Sequence, residues 1–293
     1  MRAPIRGVVA AIATPVTPER KPDISRFLTL ANHLLDNGCD GLNVLGTTGE
    51  ATSFSRAQRM EVMLAAAKSL DASRLMAGTG AASLDDACAL TRHAGELGFG
   101  AALVLPPFYY KGVSDDGVID YIGALAAASA PTATPIFLYN YPALSGVPYT
   151  LDLVGELIRR FPDRVLGLKD SSGDLAYERA LAARHPGFSV FPANEATLLE
   201  GRGAGFAGCV SATANLNSDL CGKAWRDGDA AALDTAMRVR KLFDGKPLVA
   251  GVKAGLAAIH GDPALSVPMP PLTAWGEADA AALARDMAAA RLA

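Results

Sequence analysis

The sequence predicts a (β/α)8 barrel, or TIM barrel, with additional helices after the barrel. Short runs of apolar residues alternate with longer segments that have the period of an amphipathic helix. The runs start at intervals of roughly 20–35 residues, the length of one strand–helix unit. Eight units fit the roughly 250 residues of such a barrel, and the chain has 293 residues. An open, doubly wound α/β sheet is the alternative arrangement of the same elements.

The apolar runs are continuous rather than alternating, which is typical of parallel strands that are buried on both faces. Val8–Ile12 and Ala101–Leu105 show this pattern most clearly. The eight predicted strands are Gly7–Ala13, Gly41–Leu45, Leu75–Gly78, Ala101–Leu105, Pro135–Tyr139, Val165–Lys169, Ser189–Phe191 and Ala207–Val210.

Residues typical of helix caps mark several segments between these strands. Ser55, Ser83 and Thr150 each precede a stretch with helical period. Gln58 follows Ser55 at the spacing of a capping box. The predicted helices between the strands are Ser25–Asn37, Ser55–Leu70, Ser83–Leu97, Asp115–Ala128, Thr150–Arg160 and Leu175–His185.

Two regions are expected along the chain. Residues 1–228 form the catalytic barrel, and residues 229–293 form a helical appendix that packs on it. The predicted helices of the appendix are Ala230–Phe243, Leu248–Ile259 and Glu277–Ala290.

The composition excludes several classes of protein. Half of the residues are hydrophobic and 19% are charged, so a sizeable core is available and disorder is not expected. The net charge is −3 and no basic stripe appears, so no nucleic-acid partner is predicted. The apolar run Val8–Ala13 is too short for a signal peptide, and no stretch reaches the roughly 18 residues of a membrane helix. We therefore expect a soluble, cytoplasmic protein without a membrane partner.

The sequence also lacks the spacings of metal and dinucleotide sites. The four cysteines are widely spaced without a CxxC pair, so buried free thiols are expected, and the four histidines are scattered. The segment 203–208 matches GxGxxG, but it precedes a strand instead of following one. No metal and no cofactor are predicted.

The residues that follow the apolar runs are the candidate site residues, because a barrel places its active site at the carboxyl ends of its strands. Gly46–Glu50 (GTTGE) follows the second run, and its hydroxyl and backbone N–H groups suit a carboxylate, or else form an ordinary turn. Pro106–Lys111 is an aromatic loop that closes a pocket, relays protons or packs on another subunit. Tyr139 ends the fifth strand, as an acid/base group or as a structural residue of the barrel interior.

Lys169 is the most informative residue of the chain. It closes an apolar strand, where the surrounding core is expected to lower the pKa of its ammonium group. A neutral amine attacks a carbonyl to form a Schiff base. The alternative is an ion pair with Asp170 or Glu50. Lys253 is a rival apolar-flanked lysine, but it lies in a late helix away from the predicted strand ends.

Five segments together resemble the dihydrodipicolinate synthase / N-acetylneuraminate lyase family of class I aldolases. They are, in order, GTTGE at 46–50, PPFYY at 106–110, YNYPALSG at 139–146, GLKDSSGD at 167–174 and VSATAN at 210–215. The resemblance covers nearly the whole chain. It implies a (β/α)8 barrel with extra C-terminal helices, a homotetramer built as a dimer of dimers, and no cofactor.

The resemblance also implies roles for individual residues. Lys169 would form a Schiff base with pyruvate or a pyruvate-derived 2-oxo acid, and Tyr139 would be the general acid/base. Thr47 and Thr48 would hold the carboxylate of the substrate. Thr48 would also join Tyr139 in a hydrogen-bonded proton relay.

Further roles concern the rim of the pocket. A tyrosine of the neighbouring subunit would complete the relay; Tyr109 matches it best, and Tyr110 is the alternative. Val210 and Gly208 would line the pyruvate pocket through their backbones.

Two departures from the family pattern bear on the substrate. Synthases of the lysine pathway typically carry an arginine where this chain has Leu144, and without that guanidinium a second anionic group loses a bidentate partner. The acidic pair that sialic-acid lyases use for a polyol chain is half matched by Asn194 and Glu195. These three residues are expected to contact the substrate.

The predicted function is that of a metal-independent, Schiff-base aldolase or lyase. It would cleave or form a C–C bond in a 2-keto-3-deoxy sugar acid or similar 2-oxo acid, with pyruvate and an aldehyde as its small-molecule partners. A 4-hydroxy-tetrahydrodipicolinate (dihydrodipicolinate) synthase and a Schiff-base dehydratase are the alternatives. A barrel that only binds 2-oxo acids as a sensor is the hypothesis from another class.

Overall fold

Eight parallel strands form the centre of the molecule in the computed structural model, which describes residues 5–292. Every predicted strand is present, with bounds that differ by a residue or two. The strands are β1 (Gly7–Ala11), β2 (Gly41–Val44), β3 (Leu75–Gly78), β4 (Ala101–Val104), β5 (Ile136–Asn140), β6 (Val165–Asp170), β7 (Ser189–Pro192) and β8 (Gly208–Ser211).

The strands close into a barrel. Each strand pairs in parallel with its sequence neighbour from β1 to β7, and β8 pairs with β1. Between β7 and β8, Val190 forms a parallel bridge with Phe206, and the backbone N–H of Ala207 donates to the Val190 carbonyl at 2.8 Å. The (β/α)8 barrel prediction is confirmed, and the open doubly wound sheet is excluded.

Side chains alternate between the barrel interior and the layer beneath the helices, as strand geometry requires. On β5, Phe137 and Tyr139 belong to the inner cluster, whereas Leu138 belongs to the core between strands and helices. This alternation directs Tyr139 into the barrel.

Helices surround the barrel and continue after β8. The helices are α1 (Ile24–Asp36), α2 (Arg56–Ser69), α3 (Leu84–Glu96), α4 (Asp115–Ala128), α5 (Pro142–Ser145), α6 (Leu151–Arg160), α7 (Leu175–Arg184), α8 (Leu198–Gly201), α9 (Ala214–Asp227), α10 (Ala230–Lys241), α11 (Leu248–His260) and α12 (Glu277–Leu292).

The predicted helices and caps are confirmed, while α5, α8 and α9 are absent from the prediction. Ser55 and Gln58 form the capping box: Gln58 N–H donates to Ser55 Oγ at 3.3 Å, and Ser55 N–H donates to Gln58 Oε1 at 3.0 Å. Helix α9 has a weak sequence signal because Asn217 interrupts it with non-helical backbone angles, φ −140° and ψ 30°. Asn215 and Ser218, both buried, further obscure its apolar period.

The C-terminal helices pack on the barrel and on one another. Helix α10 contacts α9, and α11 contacts both α9 and α12. The proposed division at residue 228 falls between the end of α9 at Asp227 and the start of α10 at Ala230. The start of α11 reaches the carboxyl ends of the strands, so this region also forms part of the site described below.

Two further expectations concern the thiols and the membrane. Cys39, Cys209 and Cys221 are buried and free, whereas the free thiol of Cys88 is half-buried. Within residues 5–292, no helix combines the length and hydrophobicity needed to cross a bilayer.

Candidate active site

A cavity of about 650 Å³ lies at the carboxyl ends of the strands, where a barrel of this type places its chemistry. The turn after β2, the ends of β5, β6 and β8, and the loops after β6 and β7 form its walls. The segment 246–250 at the start of α11 and the pair Pro271 and Leu272 complete the enclosure.

Lys169 and Tyr139 lie side by side in this cavity because β5 and β6 are neighbours. They are paired in the strand register, and Lys169 Nζ lies 4.2 Å from the centroid of the Tyr139 ring. Lys169 is 5% exposed and Tyr139 is 3% exposed. Among the described residues, no carboxylate forms an ion pair with Lys169, so neither Asp170 nor Glu50 neutralises it. The Lys169 amine is therefore largely shielded from water and lies against the Tyr139 ring.

The Tyr139 hydroxyl is set up as a proton-transfer group. It lies 3.2 Å from Thr47 Oγ1, within hydrogen-bond distance. Burial raises the pKa of Tyr139. The charge of Lys169 and hydrogen bonds with Thr47, Ser171 and Lys169 lower it by a larger amount, so the net shift is downward. Tyr139 accordingly loses its proton more readily than an ordinary tyrosine.

The turn Gly46–Glu50 places its two threonines differently from the expected pairing. Thr48 is buried in the cavity wall. The hydrogen bond to Tyr139 that was expected of Thr48 is made instead by Thr47. This is a correction, and its reason is local: the two adjacent residues of a tight turn point their side chains in different directions.

Glu50 lies at the end of the same turn, and its contacts distinguish the two candidate lysines, Lys169 and Lys253. It adopts a left-handed backbone conformation, φ 54°, and forms a buried ion pair with Lys253 of α11. The second Glu50 oxygen accepts the backbone N–H of Met269 at 2.6 Å. Lys253 also donates to the Val267 carbonyl at 2.9 Å. Burial lowers the pKa of Lys253 and Glu50 opposes that effect. Lys253 is thus occupied, whereas Lys169 faces the cavity.

Asp170 is oriented by groups other than its neighbouring lysine. Asn140 Nδ2 donates to one carboxylate oxygen at 2.6 Å. The hydroxyl and the backbone N–H of Ser172 donate to the other oxygen at 2.6 Å and 3.0 Å. These hydrogen bonds hold the loop after β6, in which Ser171 lines the cavity beside Lys169.

On the β7 and β8 side, the structure brings some of the predicted residues to the cavity and not others. Val210 and Asn194 line it, and Ala193, which was not predicted, lies beside them. Gly208 does not line it: it begins β8 at the opposite end of the barrel and pairs with Gly7. Its role there is a close backbone approach, because a Cβ at Gly208 would meet the Gly7 carbonyl.

Glu195 is fully buried beneath the cavity and does not line it. Its carboxylate accepts hydrogen bonds from Ser211 at 2.7 Å and Thr213 at 2.5 Å. It also forms an ion pair with Arg240 at 2.8 Å. Arg240 in turn lines the cavity from α10. Of this pair, the Arg240 guanidinium lines the cavity and the Glu195 carboxylate does not.

The two tyrosines of the aromatic loop do not line this cavity. Tyr109 and Tyr110 are 73% and 72% exposed, with their rings in edge-to-face contact at 5.4 Å. Leu144, which is 54% exposed, lines both the main cavity and a smaller one of about 250 Å³ on the other side of Tyr139. The relay role of Tyr109 stays a prediction, because it depends on a second subunit.

Several residues that line the cavity are not among the candidates predicted from the sequence. Ser171 follows Lys169 by two positions and could have been found as a hydroxyl at a strand end. Arg240, Lys246 and Glu178 lie on helices or a helix-flanking turn outside the predicted strand ends, so only the fold brings them to the cavity.

In the part of the chain that the structure describes, no cluster of His, Cys, Asp and Glu is placed to hold a metal ion.

The fold and the site define a class: a (β/α)8 barrel with a lysine–tyrosine pair in a cavity at its strand ends. The chain belongs to the dihydrodipicolinate synthetase family, whose model matches residues 4–290. This is a family of lyases and aldolases, and the family prediction is confirmed.

Similar proteins cover almost the full length of the chain. An uncharacterized DapA-like lyase of Chloroflexus aurantiacus is 33% identical over 279 residues, with 92% of each chain covered. The N-acetylneuraminate lyase of Citrobacter koseri is 32% identical over 275 residues, covering 92% of this chain and 91% of the relative. The crystal structure of YagE, a prophage protein of the dihydrodipicolinic acid synthase family from E. coli K12 in complex with pyruvate, has a TM-score of 0.90 at 26% identity. That match covers 99% of this chain and 100% of the other.

Proposed function

We propose that the protein is a class I pyruvate-dependent aldolase or lyase that cleaves or forms a C–C bond in a 2-keto-3-deoxy sugar acid or similar 2-oxo acid. The observation that carries the proposal is the buried Lys169 amine, which lacks an ion pair among the described residues and lies 4.2 Å from the Tyr139 ring centroid. A nucleophile beside a proton-transfer group is the arrangement that Schiff-base chemistry requires.

The reaction begins at the keto carbon of the substrate. The neutral amine of Lys169 attacks it, the carbonyl oxygen takes up protons and leaves as water, and a cationic imine forms. Thr48 in the turn after β2 lies in the wall where the substrate carboxylate would accept hydrogen bonds. The adjacent backbone N–H groups of this turn add to that anion-binding capacity.

Tyr139 then acts as the base. Its phenolate takes the proton from the C4 hydroxyl, the C3–C4 bond breaks, and its electron pair moves to the imine nitrogen. An aldehyde leaves, and the remaining enamine is protonated at C3. Water then hydrolyses the imine to pyruvate and free Lys169. Thr47, hydrogen-bonded to Tyr139 at 3.2 Å, provides the next step of the proton path.

Support for a sugar-derived substrate comes from the cavity and from the relatives. Leu144 stands where synthases of the lysine pathway typically carry a guanidinium, and the similar N-acetylneuraminate lyase acts on a sugar acid by its name. A cavity of about 650 Å³ is large enough for a substrate longer than pyruvate.

The test is borohydride reduction in the presence of pyruvate. We expect a covalent adduct on Lys169, located by peptide mass spectrometry, and no adduct in Lys169→Ala. Lys68→Arg, an exposed change on α2, is the matched control, since it leaves the cavity lysine in place and should trap pyruvate normally. Full lyase turnover by Lys169→Ala would contradict the proposal. Unchanged turnover after dialysis against a chelator is expected, because no step uses a metal.

The main alternative is 4-hydroxy-tetrahydrodipicolinate synthase, for which the family is named. Arg240 favours it, because this guanidinium lines the cavity and offers an anion a partner in place of the residue missing at Leu144. Efficient condensation of pyruvate with aspartate semialdehyde, measured by a coupled assay, would favour the synthase. A Schiff-base dehydratase uses the same Lys169, and analysis of the products separates it from the lyase.

The assembly and location are also proposals. We infer a cytoplasmic homotetramer of two tight dimers, in which the exposed aromatic pair Tyr109 and Tyr110 packs on a second subunit. Size-exclusion chromatography with light scattering tests the tetramer.

A further inference from the structure

Glu178 is an acidic side chain buried in the cavity wall that the proposed reaction does not use. It lies in the first turn of α7, is 4% exposed, and lines the same cavity as Lys169. Carboxyl groups are almost never fully buried without a partner. Its presence therefore calls for a structural or chemical reason.

After burial, the Asp170 carboxyl group has the largest effect on the pKa of Glu178. Asp170 itself accepts hydrogen bonds from Asn140 and Ser172. Burial and the charges of Asp170 and Asp174 raise the pKa of Glu178 to about 8.

Other charged groups around α7 are occupied elsewhere. Arg179, which opposes the rise in the pKa of Glu178, pairs with Glu200 at 2.8 Å. From α6, Asp152 pairs with Arg184 at the far end of α7. No described residue of β7 is charged. Glu178 is thus a neutral carboxylic acid at neutral pH, which both donates and accepts hydrogen bonds.

The position of Glu178 in the barrel determines which part of a substrate it faces. Strands β2 and β6 lie on opposite sides of the circle of strands. A substrate whose carboxylate is held after β2, and whose keto carbon is bound to Lys169, extends the remainder of its chain toward the other walls. The wall from Ser171 and Gly173 to Glu178 is one of them.

We propose that Glu178, buried in the wall of the Lys169 cavity, is a specificity-determining residue that binds a hydroxyl group on the aldehyde-derived part of the substrate. This inference rests on the proposed function and deepens it, since it names a hydroxylated aldehyde as the second partner. A neutral carboxylic acid matches an alcohol, because each supplies one O–H donor and acceptor lone pairs.

The test compares the condensation of pyruvate with glyceraldehyde and with propanal, which lacks the hydroxyl groups. We expect the wild type to prefer glyceraldehyde in kcat/KM. Glu178→Gln should keep this preference within about twofold, and Glu178→Leu should lose about tenfold of it, as for one hydrogen bond left unmade. The KM for pyruvate should stay the same in both variants. Glu61→Leu, an exposed change on α2, is the matched control.

A pH series distinguishes recognition from a merely structural role. Above pH 8 the wild-type preference should change, because Glu178 loses its proton and can then only accept a hydrogen bond from the hydroxyl. Glu178→Gln should show no such change, and this comparison stands even if Glu178→Leu fails to fold.

Retention of the preference by Glu178→Leu, an equal loss in Glu178→Gln, or equal kcat/KM for the two aldehydes in the wild type would overturn the inference. Borohydride trapping of pyruvate is measured on every variant. Absence of trapping in the wild type would instead refute the proposed Schiff-base function, so the two failures are distinguishable.

Discussion

At the residue scale, the chemistry depends on a contact between Tyr139 and Lys169, which are paired on neighbouring strands. Their proximity in a nearly dry site couples them: the positive charge of Lys169 lowers the pKa of Tyr139 against the opposing effect of burial. The lysine therefore prepares the tyrosine for proton transfer.

Thr47 and Thr48 give a prediction about pH. Thr47→Val removes a hydrogen bond that lowers the pKa of Tyr139, so this pKa should rise. Since the base is the deprotonated phenolate, the rise of kcat/KM with pH should move to higher pH. Thr48→Val should raise the KM for pyruvate without shifting the pH at which kcat/KM rises. Steady-state pH profiles of the three proteins provide the measurement, and identical shifts in both variants would contradict the assignment.

At the element scale, α11 holds the turn after β2 through the buried Glu50–Lys253 ion pair. Glu50 is 3% exposed and Lys253 is fully buried, so each charge relies on the other in place of water. The ion pair thus connects the cavity wall at the start of α11 to the turn that carries Thr47 and Thr48, although about 200 residues of chain separate them.

Lys253→Met should destabilise the protein by about 3–5 kcal/mol, because it leaves the Glu50 carboxylate buried without a cation. The double variant Glu50→Gln/Lys253→Met should recover part of this loss, since it removes both charges. Urea denaturation of the wild type, both single variants and the double variant gives the coupling energy. Additive effects of the two substitutions would show that the ion pair does not stabilise the fold.

At the scale of the whole molecule, the barrel gathers side chains from β2, β5, β6 and β8 at one end. Tyr109 stands outside this cavity and is 73% exposed. Its proposed role therefore requires a second subunit, whose tyrosine would reach the Thr47–Tyr139 pair.

A subunit-mixing experiment tests that role. Lys169→Ala and Tyr109→Phe should each have low activity alone. Mixed oligomers should regain activity, because the Tyr109→Phe subunit keeps Lys169 and receives Tyr109 from its neighbour. The same experiment with Tyr110→Phe separates the two tyrosines. Activity no higher than the sum of the separate variants would indicate that Tyr109 does not act across the interface.

Sequence patterns predicted the elements well wherever local physics decides them. Continuous apolar runs identified all eight strands, because parallel barrel strands are buried on both faces. Ser55 and Gln58 identified the start of α2, because a capping box is satisfied within four residues. Helix α9 escaped prediction, since its buried polar residues and the break at Asn217 depend on tertiary contacts.

The sequence by itself determined the barrel, the family and the candidate lysine and tyrosine, because periodicity and motif order are local properties of the chain. The tertiary structure alone decided which side chains share the cavity: Thr47 rather than Thr48 on Tyr139, Arg240 over a buried Glu195, and Gly208 at the far end. The reason is physical. Hydrogen bonds, ion pairs and pKa shifts depend on distances between atoms that are far apart in sequence, and only the closed barrel fixes those distances.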